Sequence, residues 1–311
     1  MTTSPRPSNA ILLMAYGTPA GPEDLAAYYT HIRGGRAPSP EKIAELASRY
    51  AEIGGSSPLL EITRALAEAL RAASGLPVYV GMKHWHPFIA DTVERMHADG
   101  VTGGVGIVLA PHYSRLSVGT YIKTASDTVG RLGAPHLRFV ESWHLHPALV
   151  ATLARRVRAA LDRLDAAHAP MAHVVFTAHS LPKRIAEFRD PYPLQLVESA
   201  KAVADAARVT RWSFAFQSAS ATGEAWLGPD ILDALRDLRA KDVQDVAVCP
   251  IGFVADHLEV LYDLDVEAGR LARELGMRLV RTESMNASPE FVAILAAIAR
   301  DALETTAPPS A

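Results

Sequence analysis

The chain has 311 residues, enough for two α/β domains with substantial cores, and its 49% hydrophobic and 21% charged content is that of an ordinary globular protein. A formal net charge of −3, from 31 basic and 34 acidic residues mixed along the chain, leaves no broad basic face for nucleic acid or anionic lipid. The lone cysteine, Cys249, excludes an internal disulfide and a thiolate cluster. The start MTTSPRPSN has no signal-peptide pattern and no apolar run reaches the roughly 18 residues of a membrane span, so a cytoplasmic protein without a membrane anchor is expected.

Short apolar or β-branched runs alternate with helical patterns, the signature of β-α units and parallel sheets. The runs of the first half are AILLMAY (10–16), PVYVG (77–81), GGVGIVLA (103–110) and HLRFVE (136–141); those of the second are HVVFTA (173–178), WSFAFQ (212–217), VQDVAVCP (243–250) and MRLVRT (277–282). Helical patterns lie around 22–32, 40–51, 58–73, 87–99, 117–131, 147–164, 191–208, 229–240, 256–275 and 289–304, with Pro22, Pro58, Pro87 and Pro229 read as first-turn residues. This predicts two Rossmann-like lobes, each a four-stranded parallel sheet flanked by helices, with a cleft between them. The expected division is 1–165, 166–287 and a C-terminal helix and tail over 288–311, with the boundary in DAAHAPMAH (165–173) after a connecting helix and the tail TTAPPSA frayed.

Ligands of open parallel sheets bind beyond the carboxyl ends of the strands. After the first strand of the first lobe stands Tyr16, and after the first strand of the second stands His179, so the two lobes offer a phenol and an imidazole. The stretch VADHLEVLYDLDVE (254–267) holds five carboxylates and no Lys or Arg. Glu259, Asp263 and Glu267, spaced i, i+4, i+8, form one line about 12 Å long on a helix, while Asp256 and Asp265 point elsewhere and are expected to serve the helix start and solvent. Like charges at this spacing destabilise a helix, so the line is either a solvated acidic face or a row that handles cations; its start beside a strand end favours the second. A basic segment, YYTHIRGGR (28–36), carries His31, Arg33 and Arg36, and Arg49 and Tyr50 precede a Ser57-Pro58 helix start suited to a carboxylate or phosphate. No dinucleotide fingerprint, Walker loop or zinc-hydrolase motif occurs.

Taken together, FTAHSLPKR (176–184), DPYPLQL (190–196), WLGPDI (226–231) and PIGFVADHLEVLYDLDVE (250–267), with YGTP (16–19), IGGSSPLLEIT (53–63) and GMKHWHPF (81–88), resemble the ferrochelatases over nearly the whole chain. The resemblance implies a monomeric chelatase-like protein that inserts Fe(II), a substrate, into a porphyrin. It implies His179 and Glu259 as the catalytic, metal-handling pair, with Asp263 and Glu267 as the acidic row leading to it. It further implies the Gram-positive branch, which works on coproporphyrin III: Tyr16 would ligate the product iron from the face opposite His179, and Arg33, Arg49, Tyr50, Ser57 and Tyr121 would line the substrate pocket. Four propionates suit the basic segment better than the two of protoporphyrin IX. With Cys249 alone an iron-sulfur cluster is expected to be absent, no prosthetic group is implied, and transient contact with a coprohaem decarboxylase is. The alternatives are a protoporphyrin IX ferrochelatase, another tetrapyrrole metal chelatase, or a two-lobed binding protein for an anionic ligand without chemistry.

Overall fold

A computed structural model describes residues 9–164, 171–220 and 223–305. In chain order it contains β1 (Asn9–Ala15), a 3-10 turn (Pro22–Asp24) leading into α1 (Leu25–Ile32), α2 (Pro40–Glu52), α3 (Leu59–Ser74), β2 (Val78–Met82), α4 (Ile89–Ala98), β3 (Gly103–Val108), α5 (Val118–Leu132) and β4 (His136–Val140). There follow α6 (Pro147–Leu161), β5 (His173–His179), α7 (Tyr192–Ala207), β6 (Trp212–Gln217), α8 (Ile231–Ala240) and β7 (Asp245–Cys249). A continuous helical segment is built from α9 (Leu258–Val260), a π-helix (Leu261–Ala268) and α10 (Gly269–Glu274), and the chain closes with β8 (Arg278–Arg281) and α11 (Pro289–Glu304).

All eight strands fall within the predicted runs or one residue beyond them, because strands covered on both faces read as continuous apolar runs: Ala10 to Met14 of β1 are fully buried. The two sheets have the orders β2-β1-β3-β4 and β6-β5-β7-β8, parallel throughout. In each, the chain reverses its direction of travel across the sheet at the pair β1/β3 or β5/β7, the place where open α/β sheets bind ligands.

Two of the expected boundaries differ. The chain divides into one compact unit of residues up to Pro38, Pro58–Trp143 and Asn286 onward, and a second of Ser39–Ser57 and His144–Met285. The main part of the second unit therefore begins near 144 rather than 166, and residues 165–170 of the stretch where the boundary was expected lie outside the described residues, as does the tail beyond 305. Helix α6 is part of a lobe rather than a connector, since its buried face (Leu149, Leu153, Val157) packs beside α7. Helix α11 belongs to the first unit, packed on α3, and Phe291 meets the Trp143 ring at 5.9 Å. Periodicity announces that a helix has an apolar face and is silent about which core receives it. Helix α2, early in the sequence, belongs to the second unit.

Of the four prolines, only Pro22 starts its element as expected. Pro58 occupies the N-cap position of α3, its carbonyl accepting from the Ile62 N–H at 2.9 Å, and Pro87 and Pro229 precede helices that begin at Ile89 and Ile231.

The chain leaves β7 through Pro250-Ile251-Gly252 and folds back against β5, where the Gly252 N–H donates to the Thr177 carbonyl at 3.1 Å. A Cβ at position 252 would stand 2.5 Å from Ala178 Cβ and 2.9 Å from its Cα, so only glycine permits this approach. Gly252→Ala is expected to lower stability by about 1–3 kcal/mol in urea unfolding, because the crowded atoms belong to a packed strand.

Candidate active site

His179 is the last residue of β5, which runs past the end of its pairing with β7 (Phe176 beside Cys249) and ends opposite Gln217 of β6. The His179 Nδ1–H donates to the Ser180 carbonyl, which fixes the tautomer and turns Nε2 toward Glu259 Oε1, 3.6 Å away. His257 repeats the arrangement from the other side: its Nδ1–H donates to the Ala255 carbonyl at 3.0 Å and its Nε2 lies 3.4 Å from Glu259 Oε2. One carboxylate thus faces two imidazoles. With side chains 32% and 27% exposed, His179 and Glu259 are reachable from outside yet well withdrawn from water. Burial alone would lower the His179 pKa, but the Glu259 charge and hydrogen bond outweigh it and raise it to about 9. Burial works the opposite way on Glu259, and the two imidazoles prevail, holding its carboxyl well below the usual range.

The backbone under Glu259 is anchored by Gln217, whose Nε2 donates to the Glu259 carbonyl at 2.7 Å while its Oε1 accepts from Thr177 Oγ at 2.9 Å. The Tyr192 hydroxyl donates to the His179 carbonyl at 3.0 Å. Both ends of the pair are held by groups on neighbouring strands and helices.

The helix carrying the acids differs from the regular α-helix expected. Its apolar residues Val260, Leu264, Ala268 and Ala272, buried against the sheet, repeat every fourth position, in step with Glu259, Asp263 and Glu267 one residue earlier. On an α-helix a four-residue repeat rotates about 40° per step away from its starting face. The π-helix, with its wider i→i+5 turns, removes that drift and keeps both stripes aligned. Asp263 is buried and accepts a hydrogen bond from Ser218 Oγ, at the end of β6. Burial first, and the Glu259 and Glu267 charges after it, raise its pKa to about 7 against the opposing effects of Ser218 and Arg49. Asp256 and Asp265 both pair with Arg281, Asp265 while exposed to solvent as expected: Nε and Nη2 bind the two Asp265 oxygens at 2.7 and 2.9 Å, and Nη1 lies 3.2 Å from Asp256. The balancing cation comes from β8, outside the acidic stretch.

Arg49 and Tyr50 of α2, with Ser57 just beyond it, share this unit with the acids. The Arg49 guanidinium lies 5.1 Å from the centre of the Tyr262 ring and its Nη2 reaches Glu45 at 2.9 Å; Tyr50 and Ser57 are buried. Tyr16, Arg33 and Tyr121 belong to the first unit. Tyr16 follows β1, its carbonyl accepting from the His84 N–H at 2.8 Å and its ring 4.6 Å from that of His84, which in turn meets His31 with an Nδ1 to Nδ1 distance of 3.2 Å. Lys83 Nζ lies 5.0 Å over the buried Tyr121 ring, and burial lowers its pKa to about 8. Arg33 and Arg36 exchange Nε bonds with each other's carbonyls around Gly34-Gly35, beside an open groove of about 730 Å³ lined by Ala26, Thr30 and His31.

Sequence reasoning missed His257, Gln217, Ser218, Lys83 and His84 as site groups. His257 stood inside the acidic stretch, and Gln217 ends β6 with Ser218 directly after it, where the same rule that found His179 applies. Among the described residues, no three His, Cys, Asp or Glu side chains converge as a metal-binding group, and no helix is long and apolar enough to cross a membrane.

Two parallel four-stranded sheets with polar and titratable side chains at their carboxyl ends define a protein of two open α/β, Rossmann-like units. The structure of the sirohydrochlorin chelatase SirB from Bacillus subtilis subspecies spizizenii, in complex with cobalt, has the same fold, with a TM-score of 0.60 at 13% identity over 96% of this chain and 97% of that one. CbiX, the terminal enzyme for biosynthesis of sirohaem in denitrifying bacteria, gives 0.54 at 14% identity over 96% and 100%. Residues 8–303 match the ferrochelatase family model, and the chain belongs to the ferrochelatase family. The coproporphyrin III ferrochelatase of Bacillus subtilis is 44% identical over 301 residues, 94% of this chain and 97% of that protein. A Thermus thermophilus protein named ferrochelatase is 46% identical over 308 residues, 92% and 96% of the two chains.

A raised histidine pKa and a depressed carboxylate pKa together give an ion pair that stabilises the fold above the ordinary carboxylate range and is lost as pH rises through about 9. In an NMR titration the His179 ring should lose its proton near pH 9. In Glu259→Gln the largest raising influence is lost and burial is opposed only by the Ser180 carbonyl and the Asp263 charge, so the same titration should move well below pH 9.

Proposed function

We propose that the protein inserts Fe(II) into coproporphyrin III, forming coprohaem, as a step of haem biosynthesis. The observation that carries this is the His179–Glu259 pair, with Nε2 and a carboxylate oxygen 3.6 Å apart at the carboxyl end of β5. An imidazole and a carboxylate are good ligands for Fe(II), and a pair without further protein ligands would hold the metal loosely enough to give it up. The substrate side is supported by family membership and by relatives at 43–44% identity named coproporphyrin III ferrochelatase, including those of Geobacillus kaustophilus and Bacillus subtilis.

At neutral pH the resting pair carries one proton, on His179, and Glu259 is ionised. Fe(II) competes with that proton for Nε2, so metal entry releases it, and Asp263, with a pKa of about 7, is the neighbouring group able to take it up. Insertion frees two further protons from the pyrrole nitrogens, for which Glu259 and His179 are the first acceptors, Glu259 passing its proton on because the adjacent imidazoles favour its ionised form. Distortion of the macrocycle, implied by the family resemblance, would expose the pyrrole lone pairs. Glu267 extends the acidic row from Asp263 as a stop for hydrated cations or protons, and Tyr16 would ligate the product iron through its phenol oxygen. Arg33, Arg49, Tyr50, Ser57 and Tyr121 would bind the macrocycle and its propionates. The protein would act in the cytoplasm as a monomer, without an iron-sulfur cluster, passing coprohaem to a decarboxylase.

The test is anaerobic incubation with Fe(II) or Zn(II) and either coproporphyrin III or protoporphyrin IX, followed at the Soret band. Turnover should favour the tetracarboxylate; a preference for protoporphyrin IX would refute the substrate. His179→Ala and Glu259→Gln should each lower insertion by about 10²–10⁴-fold while porphyrin binding persists. Asp263→Asn should cost less and flatten the rate profile near pH 7, where the Asp263 carboxyl titrates. Tyr16→Phe should leave insertion largely intact and alter the absorption spectrum of bound product.

A further inference from the structure

Tyr262 lies on the π-helix between Leu261 and the buried acid Asp263, yet its own side chain turns to α2. There the Arg49 guanidinium sits 5.1 Å from the ring centre, and one turn further along α2, Glu52 Oε2 pairs with Arg270 Nη2 at 2.7 Å. Residues 49 and 52 of α2 are thus both seated on the segment 262–270. A guanidinium resting on an aromatic face spends its plane on the contact and keeps its N–H donors at the edge, the geometry that meets a carboxylate with two parallel hydrogen bonds. One terminal nitrogen is shared with Glu45, an exposed pair worth little. Burial first, and the Glu267 charge after it, raise the Tyr262 pKa, so the phenol is neutral and the attraction comes from the ring face rather than a phenolate.

We infer that Tyr262 is a specificity-determining positioning residue: its ring holds the Arg49 guanidinium over its face, so that the remaining guanidinium N–H donors are presented to a carboxylate of the substrate. The inference rests on the proposed role of Arg49 in binding a propionate. It implies that one helical segment carries both the acids of the metal-handling row and the platform for a substrate anion. It also implies that Lys cannot stand in for Arg at position 49, because an ammonium has no plane to stack and no fork to present.

Steady-state insertion of Zn(II) into coproporphyrin III by the full chain tests this. Tyr262→Leu should raise the porphyrin KM roughly 3- to 30-fold with kcat little changed, and Tyr262→Phe, which keeps the ring, should stay close to the parent. Arg49→Lys, with an unchanged urea-unfolding midpoint as the control for folding, should raise KM to a similar degree. In an Arg49→Ala background the effect of Tyr262→Leu should vanish, since the two residues act as one unit. A fall in kcat with KM unchanged, or an equal Tyr262→Leu loss in both backgrounds, would overturn the positioning role while leaving Arg49 as a propionate ligand. An Arg49→Ala protein with an unchanged porphyrin KM would remove the role of Arg49 itself, and the inference with it.

Discussion

The Glu259 carboxylate is held between the Nε2 atoms of His179 and His257, and both imidazoles keep that orientation because their Nδ1–H groups donate to backbone carbonyls. Charge and tautomer are therefore set by the main chain at the carboxyl ends of β5 and β7. Two imidazoles hold one carboxylate ionised in a partly desolvated place, and the carboxylate in turn keeps His179 protonated to about pH 9. Such a pair is a site with a stored proton, which an incoming cation can displace. The site stands where the direction of travel reverses in the second sheet, and Gly252 lets the chain leaving β7 approach β5 closely enough to bring it together.

The acidic helix is shaped by the same demand. Four apolar residues and three acids share a four-residue repeat, and a turn wider than that of an α-helix keeps the two stripes in line. The apolar stripe secures the π-helix to the sheet, so the acidic stripe can be held on one line despite mutual repulsion. Arg281 neutralises the two acids that lie off the line, Asp256 and Asp265, at opposite ends of the turn. The five carboxylates of one short stretch thus divide by partner: two on an arginine, one between imidazoles, and one buried beneath a serine, with Glu267 following in the row.

Placement of α2 in the second unit puts the residues proposed to bind the substrate in one body with the acids proposed to handle the metal. Arg49, Tyr50 and the acids are carried by one compact body, with Arg49 on Tyr262 and Glu52 on Arg270 joining helix to helix. A displacement of the π-helix would carry the Arg49 guanidinium with it, so the two functions share a frame.

By itself, the sequence determined the local order: eight strands, nearly every helix, the position of His179 at a strand end, and the regular spacing of Glu259, Asp263 and Glu267. Each follows from the short-range periodicity of buried and exposed residues, which a chain writes in its own neighbourhood. Tertiary structure decided what depends on distant partners. That α2 and α11 each leave the lobe suggested by their place in the chain is invisible to periodicity, which marks an apolar face without naming its core. The π-helix, whose apolar stripe is buried against the sheet, departs from the regular helix that local spacing predicts. The roles of His257, Gln217 and Arg281 exist through bonds to residues on other elements, and a hydrogen bond between strands or across a turn has no signature in the sequence on either side of it.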